Sequence, residues 1–384
     1  QPRTAPSNMN SMESENLPRR FAFDGPMGDV IEQHLNDDIR SARLSRKFKI
    51  YYRLRPWLPI FLRQRLQRKR NRGMEVDADW YLPKDFIHDW RQAVSDVLAQ
   101  QSAETLVIHP WPEPYQFASV LTHDVETWEG VKLVPALAEL EEKLGFRSAW
   151  NFIPYKYNID AGMLDDLAAR GHEIGIHGYN HDGRLFESRG TFNRRSGPIN
   201  DALDRYRSIG FRAPMVHRNL TWLQQLNIQY DASCFDVDPF QAMPGGVGSP
   251  WPMIVGRFVE LPYTLPQDHT LLIALGETTP RIWIDKLAYL RRMSAMAMLI
   301  THPDYLDTQT RLNVYHAFLE HLSEQSDCWF ALPKDVADWW RQRDASRIDS
   351  ATNQITGPAS SQGRPIALRE LFVQSDSHDH RTHS

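Results

Sequence analysis

From Leu106 onward the chain alternates short apolar runs with amphipathic segments. "FASVLT", from Phe117 to Thr122, reads as a strand, and "VKLVPALAELEEKLG", from Val131 to Gly145, reads as a helix with a glycine stop. "RSAWNFIP" is strand-like, "MLDDLAARG" is helical, and "HEIGIHG" is a strand entering a turn. The alternation continues through "FRAP", "YDASCF", "FVELPYT", "AMLITH" and "CWFALP", with helical stretches such as "RIWIDKLAYLRRMSAM" and "TRLNVYHAFLEHLSEQ" between them. Repeated β and α units predict a parallel sheet with helices outside it. About seven such repeats in roughly 240 residues suit a (β/α) barrel better than an open doubly wound sheet.

The flanks read differently. Residues 1–18 are polar and aperiodic, as expected of a disordered leader, and residues 19–105 read as a helical, basic extension ahead of a barrel spanning 106–345. Residues 346–384 turn rich in Ser, Thr, Asn and Gln and read as a flexible tail, whose His378, His380 and His383 need no metal to explain them. Within the extension, residues 42–73 carry many Lys and Arg and no acid, interleaved with Phe48, Tyr51, Tyr52, Trp57 and Phe61. Either the apolar side packs on the main domain, or the segment lies on an anionic membrane surface. No nucleic-acid motif accompanies the charge.

Composition narrows the classes without choosing among them. With 384 residues, 41% hydrophobic and 24% charged, and a net charge of -4, nothing draws the chain globally toward nucleic acid or membrane. No window approaches the roughly eighteen apolar residues of a membrane span. A cytoplasmic location is the expectation, joined by peripheral membrane contact if residues 42–73 take the second of these alternatives. Cys234 and Cys328 cannot build a disulfide framework and read as buried free thiols. "PGGVGSP" reads as a loop, since no glycine-rich phosphate fingerprint follows any strand.

The candidate chemistry sits where apolar runs end. "THDVE" brings His123, Asp124 and Glu126; "HGYNH" brings His177 and His181; "FRAP" brings Arg212; "YDASCFDVDPF" brings Asp231, Asp236 and Asp238; "LITHP" brings His302. Each alone is more often structural than functional. On successive strands of a barrel they converge at one mouth. Spacing of four would align His177 and His181 on a helix, but Gly178 and the preceding strand argue for a loop that curls both imidazoles inward. Two imidazoles and a carboxylate make a metal site with open positions, a second carboxylate can take a proton from water, and a further His can protonate a leaving group. An Arg beside the base keeps it ionised. This is equipment for metal-assisted amide or ester hydrolysis.

In order and spacing these clusters resemble the polysaccharide deacetylase family, also called NodB-homology or carbohydrate esterase family 4, over roughly residues 115–335. The resemblance implies a distorted (β/α)7 barrel and a divalent metal, usually Zn²⁺. It also implies hydrolysis of linear amides, namely removal of N-acetyl groups from the amino sugars of a glycan. Matched residue by residue, Asp124 corresponds to the catalytic base, His177 and His181 to metal-binding histidines, Arg212 to the partner of the base, and His302 to the general acid. Asp231 corresponds to the carboxylate orienting that acid. The commonest motif carries a second Asp where this chain has Val125, so Glu126, on the same side of an extended strand as Asp124, is assigned as the third metal ligand. Gly178 stands where a Ser or Thr is usual, and Met215 where an aromatic often follows the Pro. His123 and His172 fall on the opposite phase and read as structural, and Glu260 as packing or groove lining. Val125 and Gly178 also motivate a non-catalytic reading, a binder of glycan or lipid-linked sugar. Hydrolysis of a non-sugar amide is the third.

Overall fold

Every residue of Phe117–Val125 is buried, as expected of a parallel strand covered on both faces. The computed structural model describes residues 17–43, 45, 50, 54, 76–100, 105–241 and 243–373. Its strands are β1 (Arg19–Arg20), β2 (Leu106–Ile108), β3 (Phe117–Val125), β4 (Ala149–Phe152), β5 (Glu173–His177), β6 (Gly210–Arg212) and β7 (Tyr230–Asp231), then β8 (Met253–Val255), β9 (Phe258–Glu260), β10 (Met296–Thr301), β11 (Cys328–Phe330), β12 (Arg347–Ile348), β13 (Ile355–Thr356) and β14 (Pro365–Ala367). The main sheet runs β1-β8-β9-β7-β6-β5-β4-β3-β10, with β11 on the first residues of β3. From β10 through β3, β4, β5, β6 and β7 to β9 every pairing is parallel, so these strands all end on one rim. β8 and β1 extend the sheet antiparallel.

The sheet curls into the expected distorted (β/α)7 barrel, and its closure is where the distortion lies. Past β9 the chain crosses to β10, where the N–H groups of Thr264 and Leu265 both donate to the Met298 carbonyl, at 3.1 and 3.0 Å. The Thr264 hydroxyl also donates to Met296 O at 2.7 Å. Side-chain and single-residue bonds thus replace a regular ladder, leaving the following residues, including Asp268, beside the end of β10.

Helices α1 (Pro26–Ser41), α2 (Lys84–Gln100), α3 (Trp128–Lys143), α4 (Ala161–Ala169), α5 (Arg189–Arg205), α6 (Leu220–Leu223), α7 (Arg281–Arg292), α8 (Gln309–Ser323), α9 (Pro333–Asp344) and α10 (Leu368–Val373) complete the elements used below. Helix α3 starts three residues before the predicted Val131, because Thr127 caps it by accepting from the Gly130 N–H at 3.0 Å. Its inward face includes Glu141, a buried carboxylate that receives His123 Nε2 at 2.6 Å and the hydroxyls of Ser148 and Tyr315. His123, stacked on Trp150 with centroids 3.9 Å apart, therefore faces the helical layer while its neighbour Asp124 faces the interior. His172 likewise binds Glu142 at 2.9 Å.

Two expectations about the flanks change, and one loop gains a role. The described part of the 19–105 extension is built into the barrel: β1 joins the sheet, and Phe23 just before α1 packs with Phe86 and Trp90 of α2 around Trp251, in the same hydrophobic cluster as the barrel. "PGGVGSP" is the loop its sequence suggests, and it packs against a carboxylate of this chain. Asp38 of α1 accepts from the Gly246 N–H at 2.7 Å and pairs with the buried Arg218 guanidinium. Finally, residues 346–373 are folded rather than a flexible tail, since β14 pairs with β2 and β12 with β13. Polar composition hid them because strands of two or three residues carry no periodicity. Residues 1–16 and 374–384, and nearly all of 42–73, lie outside the described residues. No helix among those described is long and apolar enough to cross a membrane.

Glu173, at the start of β5, makes stability depend on pH. Burial pushes its carboxyl up to about 7, against the opposing bonds from Lys334 N–H and the Tyr230 hydroxyl. Between the ordinary 4.5 and 7 the folded chain keeps a proton that the unfolded chain releases, so stability falls as pH rises through this window. The shift corresponds to about 3 kcal/mol. Glu173→Gln is expected to melt several degrees above the wild type at pH 8 and level with it near pH 4.5. Equal gaps at both pH values in thermal melts would contradict this origin.

Candidate active site

The carboxyl rim gathers Asp124 near the end of β3 and Glu126 just past it, His177 at the end of β5 and His181 in the loop beyond, Arg212 at the end of β6 and His302 just past β10. Alternation along β3 sends Asp124 and Glu126 the same way, past the fully buried Val125. Asp124 Oδ2 and Glu126 Oε1 lie 3.8 and 3.7 Å from His177 Nε2, and Glu126 Oε1 is 2.7 Å from His181 Nε2. His302 approaches from the other side, its Nε2 3.7 Å from Glu126 Oε1.

The loop carrying the two histidines curls as its sequence suggests. Gly178 has φ 68°, and a Cβ there would lie 2.4 Å from Pro214 Cδ, so the ring of the "RAP" segment occupies the space a Ser or Thr would need. His181 is itself left-handed at φ 60°. Beyond Pro214, Met215 and Val216 are also left-handed, at φ 57° and 48°. Such non-glycine conformations cost about 1–3 kcal/mol each and cluster at working sites.

The ligand atoms of Glu126, His177 and His181 all lie within 4.8 Å of one another. His177 Nδ1 sits 3.2 Å from the Arg212 carbonyl, which can only accept, so Nδ1 carries the proton and Nε2 offers a lone pair. That Nε2 is buried without a hydrogen-bond partner among the described residues. Two imidazole nitrogens and a carboxylate oxygen, one of them buried and unpartnered, fit a divalent ion of the Zn²⁺ type.

Charge is arranged for proton transfer. Burial would raise the Asp124 carboxyl, but the surrounding cationic groups, Arg212 among them, and the Asn151 hydrogen bond hold it below the usual carboxylate range. Arg212 Nη1 donates to Asp124 Oδ1 at 3.0 Å and to the Thr122 hydroxyl at 2.8 Å. Glu126, equally buried, is held well below the ordinary range by the histidines around it. His302 goes the other way: burial would lower it, yet Asp268, Glu126 and Asp124 raise it to about 10. Asp268 grips it twice, accepting from the His302 backbone N–H at 2.6 Å and meeting Nδ1 at 2.7 Å.

The expected orienting role of Asp231 is therefore corrected. Asp231 lies across the barrel, bound to the Ser233 hydroxyl at 2.7 Å and opposite Glu260 in the β7–β9 register. Burial pushes both carboxyls up, Glu260 further because the Asp231 charge stands beside it, and Glu260 also accepts from the Cys234 N–H at 2.8 Å. Asp236 and Asp238 are structural too. The first is paired with buried Lys286 at 2.5 Å, and the second accepts from Thr270 and Gln241. Asp268 itself lies in "LPQDHT", and its signal in the sequence is an acid ending the run that lines the same mouth. Asp268→Asn would present an amide donor to a nitrogen that must itself donate. Its kcat is expected to fall about 100-fold, as for loss of oriented acid catalysis, with metal content unchanged. An Asp268→Asn protein retaining full turnover would remove Asp268 from the site.

No protein-family model and no curated protein matches the chain. Solved structures do. A Mycobacterium smegmatis protein described as a polysaccharide deacetylase aligns over 61% of this chain and 93% of its own, at 20% identity and a TM-score of 0.51. A Pseudomonas aeruginosa PAO1 protein of the same description covers 61% and 94%, at 16% and 0.48. The Puue allantoinase covers 61% and 93%, at 16% and 0.44. The rim, the curled parallel sheet and the first of these alignments agree: this chain has the fold of the NodB-like polysaccharide deacetylases of carbohydrate esterase family 4.

Proposed function

We propose that the protein is a metal-dependent hydrolase that removes acetyl groups from the amino sugars of a glycan. The observation that carries this is the meeting, at one rim, of a three-group metal-ligand set with a carboxylate bonded to Arg212 and an imidazole bonded to Asp268. Glu126, His177 and His181 would hold the ion. When bound there, a divalent ion lowers the pKa of a water and polarises an acetyl carbonyl.

The chain's own groups supply the proton traffic. Asp124 Oδ2 accepts the proton of the water that attacks the acetamide carbon, while Arg212 keeps that carboxylate ionised. As the C–N bond breaks, His302 Nε2 gives its proton to the departing amine, and Asp268 stabilises the imidazolium beforehand. Water and amide become acetate and free amine, with one proton taken and one returned. The glycan substrate class follows the motif resemblance and the description of the Mycobacterium smegmatis structure. Val125 and Gly178 no longer favour a non-catalytic reading, since each has a packing reason, the core for one and Pro214 for the other.

A hydrolysis screen tests the substrate class. Chito-oligosaccharides and acetylated polysaccharides, alongside small linear amides and allantoin, are incubated with metal-loaded protein, and acetate and free amine are measured. Equimolar acetate and amine from the glycans is expected. Turnover confined to the non-sugar amides would overturn the glycan assignment.

A further inference from the structure

Asp124 is held from a second side by a residue outside the five polar clusters. Asn151 on β4 lies opposite Asp124 in the β3–β4 register, and Gly175 on β5 lies opposite Asn151, so the three form one row across adjacent strands. In a parallel sheet such a row faces one way, here into the barrel mouth. Asn151 Nδ2 donates to Asp124 Oδ1 at 2.9 Å, the oxygen that also receives Arg212 Nη1 at 3.0 Å. With Oδ1 gripped twice, Oδ2 is left facing His177. An Asn rather than a hydrophobe on the fully buried strand β4 is itself unusual, since burying an amide is unfavourable unless it is bonded.

Gly175 explains how the amide fits. A Cβ at that position would stand 1.9 Å from Asn151 Oδ1 and 3.1 Å from its Cγ, and the glycine's backbone is outside the left-handed region that would otherwise call for glycine. Space for the amide is what this glycine supplies.

We infer that Asn151 is a positioning residue for the base Asp124, fixing which carboxylate oxygen faces the reacting water, and that Gly175 is glycine in order to admit it. The inference rests on the hydrolase reading, in which Asp124 is the base. Misplacing a reacting group by about 1 Å can cost about 100-fold. Asn151→Ala, and Asn151→Leu as a variant that keeps the volume filled, should therefore lose about 100-fold in kcat with KM and bound metal within twofold of wild type. Gly175→Ala should lose as much in the wild-type background and nothing further in the Asn151→Ala background, where the colliding oxygen is gone.

An Asn151→Ala or Asn151→Leu protein with kcat within twofold of wild type, or a Gly175→Ala loss equal in both backgrounds, overturns the inference. If wild-type protein releases no acetate with any divalent ion, the hydrolase reading fails separately. Melting temperatures then decide the contact itself. Gly175→Ala should lower the melting temperature only while Asn151 is present, and Asn151→Ala should cost less in Asp124→Asn than in wild type. Additive changes would sink it.

Discussion

Asp124→Asn protein is expected to bind metal as the wild type does and to release acetate about 1,000-fold more slowly, the middle to upper range for loss of a general base. The substitution is nearly isosteric, and its amide oxygen can still accept from Arg212 and Asn151, so the row across β3 and β4 survives. What disappears is the ionised carboxylate oxygen facing the metal-ligand set, which an amide cannot replace as a proton acceptor. Because Asp124 is not among the three groups whose ligand atoms cluster within 4.8 Å, metal content and turnover should separate in this variant. Parallel measurement of metal per chain and acetate release checks it. A variant that loses both together would make Asp124 a ligand instead.

The second large effect is on metal itself. His177→Ala and His181→Ala each remove one of three protein donors, and losing even an outer-shell partner of a ligand typically costs about 10–100-fold in affinity. Each variant is expected to fall from about one equivalent of divalent metal per chain to less than about a tenth after dialysis, with turnover lost in proportion. His177 is the more exacting case, because its Nδ1–H contact with the Arg212 carbonyl couples the ligand to the guanidinium that holds the base. Circular dichroism should stay native, since the interior fold depends on the apolar strands rather than on this rim. Full metal content in both variants would contradict the assignment of the site.

Much of the site is legible in the sequence because strand periodicity and strand order are local signals. Asp124 and Glu126 share a face by alternation, and the glycine between His177 and Asn180 marks a loop, so their meeting follows once parallel strands end together. The partner of His302 is a different matter. Several acids follow strand-like runs, and which one reaches the imidazole depends on how the stretch from Tyr263 to Asp268 crosses to β10 through the Met298 carbonyl. No spacing in the chain encodes that crossing, so Asp231 and Asp268 cannot be told apart before the barrel is closed. Asn151 was open to discovery: a lone amide in a buried run, in phase with the mouth, facing a glycine one strand away. The folded end from residue 347 to 373 is hidden for the opposite reason, because its short pairings are held by the barrel they pack on rather than by their own pattern.

The central claim is that Glu126, His177 and His181 hold a divalent ion on which hydrolysis of an N-acetylated glycan depends. The most direct measurement is a titration of metal-stripped wild-type protein with Zn²⁺, following bound metal and acetate release from an N-acetylated chito-oligosaccharide in the same samples. Acetate release should rise in step with occupancy and level off at about one ion per chain, as for a site with three protein ligands. Saturation of the site with no acetate released, or acetate release already complete in stripped protein, would contradict the account.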